Sequence, residues 1–348
     1  MKSITTYPLT EIKNLLQDLG QPSFRAQQLI DWIYKKGAAS YEVMTNLPQS
    51  LREDLSIHYP LIPPRVVDKQ VSHDGTRKYV LEFADGVRVE TVGIPSFDTT
   101  NTGEPKHITV CFSTQAGCPM QCAFCATGTE GLTRNLSAGE MILQIITVQN
   151  DFQSRVSHIV AMGQGEPFLN YNATLEALHF MNAKKGLEIG ARHITVSTCG
   201  VISGIERFAQ EPEQFTLAIS LHSAQQPIRD ELMPQCARWP LPNLKEALLS
   251  YVERTNRRVS LEYLMIKNLN DTPQALESLV EFTEDLLCHI NLIPFNSVDH
   301  CSYQPSSEAV IKSFQKELNR SGVETTIRNS RGSDIAGACG QLKNKILS

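Results

Sequence analysis

The stretch Cys118-Pro119-Met120-Gln121-Cys122-Ala123-Phe124-Cys125 places three cysteines at the spacing CxxxCxxC. It offers a metal centre three thiolates, and no fourth cysteine or histidine stands beside them. A structural zinc site normally closes its tetrahedron with four ligands, so the triplet fits another centre better. A [4Fe-4S] cluster held by three cysteines leaves one iron open, and S-adenosylmethionine (SAM) can chelate that iron. Zinc ligands or buried thiols remain the alternatives on spacing alone.

The length of 348 residues allows one large barrel-type domain and a small appendage. No run approaches the roughly 18 consecutive apolar residues of a membrane span, and residues 1–4 begin no signal-peptide apolar core. Nine cysteines, an odd number, suit a reducing compartment better than a disulfide framework. We therefore expect a cytoplasmic protein that does not contact a membrane. The net charge of -5 argues against nonspecific binding to phosphate but leaves a local basic face open.

From about Lys106 onward, short runs rich in Val, Ile and Leu alternate with stretches of helical period. This alternation is typical of βα units with a parallel sheet. Capping boxes predict helix starts at Ser137 with Glu140 and at Asn243 with Glu246. Six units and a further strand predict an α/β fold, a partial (β/α)6 TIM-like barrel with chemistry at the strand C-terminal ends. The expected strands cover residues 107–111, 158–162, 193–197, 215–221, 259–265, 289–294 and 323–327.

The chain before the barrel has a different pattern. Helical periodicity covers residues 9–19 and 24–34 and returns around Leu51 and Leu55. Asp85-Gly86 between two apolar runs is a strong hairpin signal, and the polar stretch 98–105 is expected to be a linker. We therefore expect three parts: an N-terminal helical accessory domain at 1–62, a strand-rich bridge at 63–101, and a barrel with its C-terminal segment at 102–348.

A glycine-rich turn, Met162-Gly163-Gln164-Gly165-Glu166-Pro167, follows the second expected strand. Its glycines let the backbone approach a ligand, and Glu166 can accept hydrogen bonds from an ammonium group. Without the triplet, an ordinary turn at a strand end would explain this sequence equally well. Polar groups also follow the third, fourth and sixth strands, where each alone is an ordinary strand-end cap. These groups, which would converge on the barrel mouth, are Ser197, Ser220-Leu221-His222 and Asn296.

Two further cysteines stand at positions suited to chemistry. Cys111 ends the first barrel strand seven residues before Cys118, and Cys339 lies among three glycines near the end of the chain. Those glycines would give the backbone freedom to bring a thiol into a site, where a thiolate can act as a nucleophile. Spacing alone still favours a buried strand thiol for Cys111 and an incidental tail residue for Cys339.

With these residues the chain resembles the RlmN family of radical SAM RNA methyltransferases, which modify carbon 2 of adenine, and it is similar to the related Cfr enzymes. The resemblance covers nearly the whole chain. In two places the chain departs from the family pattern: Gln164 stands where Met is usual, and Ala-Gly-Ala precedes Cys339 where Ala-Ala is common. The resemblance is carried by the front helices, the triplet with Phe124, Val89-Glu90-Thr91-Val92, Cys111, Gly165-Glu166-Pro167, Ser220-Leu221-His222 and the tail from Asp334 to Leu342.

The resemblance implies a radical SAM barrel, its cofactors and the role of each site residue. Cys339 would take a methyl group from one SAM, and a radical made from a second SAM would activate that methyl for attack on the adenine. Cys111 would resolve the protein–RNA adduct through a transient disulfide with Cys339. Glu90 would accept a proton, although a lone Glu on a hairpin strand is otherwise solvated. A [4Fe-4S] cluster would be held by Cys118, Cys122 and Cys125, and SAM by Gly165, Glu166, Ser197, Ser220, Leu221, His222 and Asn296.

The resemblance also implies the substrates: an adenine in the peptidyl-transferase region of 23S rRNA and the adenine beside the tRNA anticodon. The base must leave its stack because C2 is otherwise buried between neighbours, which favours RNA loops. The front helical module would contact RNA, consistent with its basic residues Arg25, Lys35, Lys36 and Arg52. We further expect a monomer that receives electrons from a donor such as flavodoxin or ferredoxin.

Three alternatives stay open at the level of sequence. A Cfr-like enzyme would methylate C8, whereas Pro167 after Glu166 and the Asp-Ile spacing before Cys339 favour C2. A radical SAM enzyme acting on a protein or a small molecule would not need Cys339. A metal-bound RNA-binding or sensing module would use the triplet structurally and would release no deoxyadenosine under strong reductant.

Overall fold

The N-terminal part of the chain is helical, and a large mixed sheet with intervening helices follows it. The computed structural model describes residues 2–97 and 105–343. Of the linker predicted at 98–105, all but Pro105 lies outside the described residues. Within the described ranges, no helix is both long and apolar enough to cross a membrane.

Three helices form the N-terminal part: α1 (Leu9–Asp18), α2 (Ser23–Tyr34) and α3 (Gln49–His58). Each begins directly after a proline, whose fixed φ and extended ψ suit the residue before the first turn. Each fully buried aliphatic side chain stabilises the fold by roughly 1.5–3 kcal/mol relative to exposure. The three predicted helices are confirmed. Their apolar faces are buried through Ile12, Leu16, Leu29, Ile33, Leu51 and Leu55.

Ten strands form the large sheet. From one edge to the other they are β1 (Arg65–Val71), β2 (Arg77–Glu82), β3 (Arg88–Ser96), β4 (His107–Cys111), β7 (His158–Ala161), β8 (Ile194–Thr198), β9 (Thr216–Ser220), β10 (Val259–Met265), β11 (Cys288–Pro294) and β12 (Thr325–Ile327). Neighbours from β1 to β4 are antiparallel, and neighbours from β4 to β12 are parallel. In the parallel part each strand lies beside its predecessor, as in a barrel wound in one direction. Across the described residues β1 and β12 remain edges, so the barrel is open.

Two features of the sheets differ in how well the sequence predicted them. The Asp85-Gly86 hairpin is confirmed: it joins β2 to β3, and Gly86 adopts a φ of 81° that suits glycine. A second sheet, made of β5 (Gln115–Gly117) and β6 (Leu132–Asn135), was not predicted. Strands of three and four residues are too short to show an alternating pattern. This small sheet flanks the cysteine triplet on both sides.

Seven α-helices lie within the described residues from 105 onward. The capping box predicted at Ser137 is confirmed, since Ser137 Oγ accepts from the Glu140 N–H at 3.1 Å and Glu140 Oε2 accepts from the Ser137 N–H at 2.9 Å. The second predicted box is wrong: that helix begins at Leu241 after Pro240, so Asn243 and Glu246 lie inside it. The helices are α4 (Ala138–Phe152), α5 (Tyr171–Asn182), α6 (Ile202–Phe208), α7 (Gln226–Leu232), α8 (Leu241–Thr255), α9 (Pro273–Thr283) and α10 (Glu308–Arg320).

Candidate active site

A cavity of about 340 Å³ opens at the C-terminal ends of the parallel strands. Glu90 and Leu221 do not line it. A larger cavity of about 960 Å³, between the N-terminal residues and the start of α4, contains none of the predicted site residues. The predicted site residues that line the smaller cavity are Cys111, Cys118, Cys122, Cys125, Gly165, Glu166, Ser197, Ser220, His222, Asn296 and Cys339.

The triplet lies in the loop between β5 and β6, and the backbone fixes this loop at both ends. Gly117 has a φ of 75°, and a Cβ there would lie 2.0 Å from the Gly131 carbonyl oxygen, so only glycine fits. The Cys118 N–H donates to the same Gly131 oxygen at 2.8 Å. Burial raises the pKa of Cys118 to about 12 and also raises the pKa of Cys122. A bound metal centre would stabilise the thiolate form of these buried cysteines.

The spacing of the three sulfurs argues against a single zinc ion. Around one tetrahedral zinc, with Zn–S bonds of about 2.3 Å, thiolate sulfurs would lie about 3.8 Å apart. In the part of the chain that the structure describes, one group of three ligand atoms lies within 4.8 Å of one another, and it is His179, Glu211 and Glu213. The three sulfurs of the triplet do not form such a group. The His179 group lies outside the cavity, with His179 Nε2 at 3.2 Å from Glu211 Oε2 and 3.3 Å from Glu213 Oε2.

The turn after β7 presents Glu166 to the cavity. Gly165 has a φ of 105°, and a Cβ there would lie 2.6 Å from the side chain of Gln115. Glu166 Oε1 accepts from the Phe168 N–H at 3.0 Å, and Oε2 accepts from the Cys199 N–H at 2.8 Å. Burial raises the pKa of Glu166, and these N–H donors oppose the rise. A buried, oriented carboxylate of this kind can bind an ammonium group.

Polar residues at the C-terminal ends of β8 and β9 lie beside the triplet. Ser197 Oγ and Ser220 Oγ lie 3.3 Å apart. His222 accepts from the Leu264 N–H through Nδ1 at 3.1 Å, and its ring packs edge-on against Phe124 with centroids 4.7 Å apart. Burial lowers the pKa of His222 to about 3, so the ring is neutral. Leu221 is fully buried, and only its main chain can face a ligand.

Cys111 and Cys339 face the same cavity from different parts of the chain. All nine cysteines lie in the described ranges, and each is a free thiol, so the transient disulfide stays a prediction. Burial raises the pKa of Cys111 to about 12. Cys339 is exposed as a residue, yet desolvation of its thiol raises its pKa too. The guanidinium of Arg328 opposes both rises, because a nearby cation stabilises thiolate.

Residues 332–343, here called the tail, are held by hydrogen bonds to distant elements. The Ala126 N–H donates to the Gly340 carbonyl at 2.7 Å, beside the triplet. Asn296 Nδ2 donates to the Cys339 carbonyl at 3.4 Å. At the start of the tail, Ser72 Oγ, in the β1–β2 turn, donates to Asp334 Oδ1 at 2.6 Å. The tail therefore bridges the barrel mouth and the β1–β2 turn, with Cys339 between the anchors.

Glu90 does not stand in solvent, so the solvated alternative for it is wrong. It lies on β3, is fully buried, and forms an ion pair with Lys78 Nζ at 3.3 Å. Glu90 Oε2 accepts from the Lys343 N–H at 2.7 Å, so the tail covers the carboxylate. Its role as a proton acceptor stays a prediction.

Residues 4–59 match the family model described as "Ribosomal RNA large subunit methyltransferase N-terminal domain", and residues 112–282 match the radical SAM superfamily model. The chain is 40% identical over 348 residues to the probable dual-specificity RNA methyltransferase RlmN of Clostridium novyi, covering 100% of this chain and 99% of that one. The chain belongs to the RlmN family. The RlmN of Bacillus subtilis is 43% identical over 346 residues, covering 99% of this chain and 93% of that one. A crystal structure of a radical SAM methyltransferase from Sphaerobacter thermophilus superposes with a TM-score of 0.91 at 39% identity, covering 99% of this chain and 100% of that one.

Membership in the RlmN family confirms both the resemblance and the radical SAM barrel expected from the sequence. Radical SAM proteins as a superfamily use a [4Fe-4S] cluster and SAM. The three free thiols of the triplet and the oriented Glu166 fit those two groups. Which residues of this RlmN family member bind each group remains a proposal.

Sequence reasoning missed three charged residues that the RlmN-type site contains. Glu262, on β10, is 4% exposed and pairs with Arg328 at 3.4 Å, and both line the cavity. Arg229 is fully buried and donates a hydrogen bond to the Cys199 carbonyl at 2.6 Å. The N–H of the same Cys199 donates to Glu166. A glutamate inside an otherwise apolar strand was the available signal for Glu262. Nothing local marks Arg229 or Arg328.

Proposed function

We propose that this chain is a radical SAM RNA methyltransferase that methylates C2 of an adenine in 23S rRNA and of the adenine next to the tRNA anticodon. One observation carries the proposal: the triplet and two further thiols, Cys111 and Cys339, line one cavity in a chain that matches RlmN relatives along its whole length. A methyltransferase that transfers the SAM methyl group directly to its substrate would need neither the triplet nor this pair of thiols.

Cys118, Cys122 and Cys125 would hold the [4Fe-4S] cluster, and the strand-end groups would hold SAM. When bound, the cluster would supply the electron that cleaves SAM to methionine and a 5'-deoxyadenosyl radical, and it would take one electron back from the later RNA adduct. Glu166, fixed by two N–H donors, would bind the SAM amino group. The neutral His222 packs on Phe124, so it can hold the cofactor without adding charge beside the cluster. The remaining SAM contacts would come from Gly165, Ser197, Ser220 and Asn296, which line the cavity. The family resemblance adds Leu221, which does not line it, through its main chain.

Cys339 would act as the methyl acceptor. Its thiolate attacks the SAM methyl carbon, so a sulfur–carbon bond forms while the sulfonium–methyl bond breaks and leaves its electron pair on the sulfonium sulfur. Arg328 favours the thiolate that this step requires. Exposure of Cys339 between the tail anchors lets a nucleic-acid base reach the methylated sulfur.

The deoxyadenosyl radical would take a hydrogen atom from the methyl group on Cys339, giving 5'-deoxyadenosine, and the resulting methylene radical would add to C2 of the adenine. Glu90 and Cys111 would then complete the reaction on this protein–RNA adduct. After this adduct has lost one electron, Glu90 would accept the proton from C2, and the electron pair of that C–H bond returns to the ring. Attack of the Cys111 sulfur on the Cys339 sulfur forms a disulfide and breaks the bond from Cys339 to the methylene carbon. That carbon keeps the electron pair and takes a proton to become the methyl group.

The partners follow from this chemistry. The target adenine must be unstacked, which suits loops of 23S rRNA and tRNA. The helical accessory domain, 1–62, would contact RNA, the strand-rich bridge, 63–101, would supply Glu90, and the barrel, 102–348, would carry the chemistry. One chain contains every group of the site, so we propose a monomer. It would work in the cytoplasm with its RNA substrates and take electrons from a donor such as flavodoxin or ferredoxin.

The test is anaerobic reconstitution with iron and sulfide, followed by RNA and methyl-labelled SAM. We expect wild type to make 2-methyladenosine and Cys339→Ala to make none. The matched control is Cys288→Ala. It removes a thiol at the N-terminal end of β11, whereas the cavity lies at the C-terminal strand ends, so it should keep the wild-type yield. Methylation at C8, or an unchanged yield from Cys339→Ala, would overturn the proposal.

A further inference from the structure

Lys78 is a charged residue in a place where charge is costly. It lies on β2 and only 4% of its side chain is exposed, whereas Lys69 on β1 is 36% exposed. Burying an ammonium group is unfavourable unless it is paired and hydrogen-bonded. A buried lysine therefore needs a partner that the fold or the chemistry supplies.

The partner is Glu90. In the antiparallel pair of β2 and β3, Lys78 lies opposite Val92, and Glu90 lies opposite Val80. Lys78 and Glu90 are thus diagonal neighbours on one face of the sheet, within reach of a long side chain. Lys78 Nζ lies 3.3 Å from Glu90 Oε1, and the carboxylate is fully buried.

Both residues also contact the tail. Lys78 Nζ donates to the Ala336 carbonyl at 3.4 Å, and the Lys343 N–H donates to Glu90 Oε2 at 2.7 Å. Ala336 and Lys343 stand on either side of Cys339 in the chain. The main chain of Glu90 is held as well, because its N–H donates to Gln164 Oε1 at 3.2 Å. Lys78 therefore joins the buried carboxylate to the segment that carries Cys339.

We propose that Lys78 is a positioning residue that keeps Glu90 ionised and aligned beneath the tail, ready to accept the C2 proton. This inference rests on the proposed function, in which Glu90 is the proton acceptor. Without Lys78 the buried carboxylate loses the positive charge that lies 3.3 Å from its Oε1, which favours the protonated form of Glu90. A protonated Glu90 cannot accept the adenine proton. The SAM site, which Lys78 does not line, is left as it was.

The test compares Lys78→Met, Lys78→Arg and a control, Lys69→Met, which removes an equal charge from the neighbouring strand. In single turnover with RNA, Lys78→Met should methylate Cys339 normally but accumulate the covalent RNA adduct. Release of product from that adduct should slow by on the order of 100-fold, a typical contribution of a general base. Lys78→Arg should restore much of the release rate, and Lys69→Met should behave as wild type.

A second variant and a stability measurement keep the inference testable if Met at position 78 prevents folding. Lys78→Gln retains a donor without the charge, and it should accumulate the same adduct. In thermal unfolding of the cluster-free protein, Glu90→Gln should relieve the destabilisation that Lys78→Gln causes, because the two residues form one pair.

Two results would overturn the inference. One is release of product at the wild-type rate in the neutral Lys78 variants. The other is a loss of Cys339 methylation as large as the loss of product, which would assign Lys78 to tail placement alone. Failure of the proposed function is distinguishable, because wild type itself would then make no methyladenosine while the unfolding measurement still reports the pair.

Discussion

The triplet loop and the tail bring cysteines to the same cavity, and the chain holds them by different means. The triplet loop is closed at its base by the pairing of β5 with β6, within residues 115–135, and the Ala123 N–H inside it also donates to the Leu232 carbonyl at 2.9 Å. The tail is anchored by residues as far away as Ser72 and Ala126. Local closure suits ligands that must stay in place around a cluster. Anchors on either side of an exposed Cys339 suit a thiol that must meet SAM and then RNA.

The largest expected effect comes from removing one cysteine of the triplet. Cys122→Ala should abolish the cluster and with it all product, whereas Cys339→Ala should abolish product but retain the cluster. Iron and sulfide content and the visible absorption of the reconstituted proteins measure the difference. A Cys122→Ala protein with wild-type iron content would show that the triplet does not hold the cluster.

The next effect concerns the carboxylate beside the triplet. Glu166→Gln removes a charged acceptor and places an amide against an N–H donor, so SAM binding should weaken about tenfold to a hundredfold, or about 1.4–3 kcal/mol. Anaerobic titration calorimetry measures the dissociation constant. The control is Glu176→Gln, because Glu176 does not line the cavity that contains the triplet, and this variant should bind SAM as wild type does. Equal affinities for all three proteins would contradict the assignment of Glu166.

A smaller effect tests the electrostatics of the tail cysteine. Arg328 opposes the raised pKa of Cys339, so Arg328→Gln should raise that pKa further and reduce the thiolate fraction at neutral pH. The rate of Cys339 alkylation in the cluster-free protein, measured by mass spectrometry across a pH series, should therefore rise at a higher pH than in wild type. Arg320→Gln, on the surface of α10, should leave the profile unchanged. A shift to lower pH would contradict this account.

The smallest effect sharpens the contrast between local and distant anchoring. Hydrogen bonds from Ser72 and from the His73 N–H lower the pKa of Asp334. The anchor is therefore complete above the ordinary Asp pKa of about 3.9 and is lost as pH falls through the lower folded value. At neutral pH, Asp334→Asn should speed hydrogen exchange of the backbone amides of residues 333–337. In this variant, a fall in pH through the folded pKa of Asp334 should no longer weaken the protection of these amides. Exchange identical to wild type would show that this anchor does not hold the tail.

Local features of the sequence were predictable, and contacts between distant residues were not. The βα alternation, the Asp85-Gly86 turn and the triplet each have their signal within a few neighbouring residues. The pair of Lys78 with Glu90 depends on strand register, and its link to Ala336 joins residues 258 positions apart. Arg328 has no local signal because its partners Glu262, Cys111 and Cys339 are brought to it by the barrel. The role of Glu90 could be suggested only by family resemblance.

The most direct test of the central claim, that the two regions work on one substrate in one cavity, is to trap the intermediate in Cys111→Ala. After a single anaerobic turnover with RNA, the covalent protein–RNA species is digested and mapped by mass spectrometry. The account predicts one methylene bridge from the Cys339 sulfur to C2 of an adenine. Free methyladenosine at the wild-type yield without an adduct, or a bridge to another residue, would contradict it.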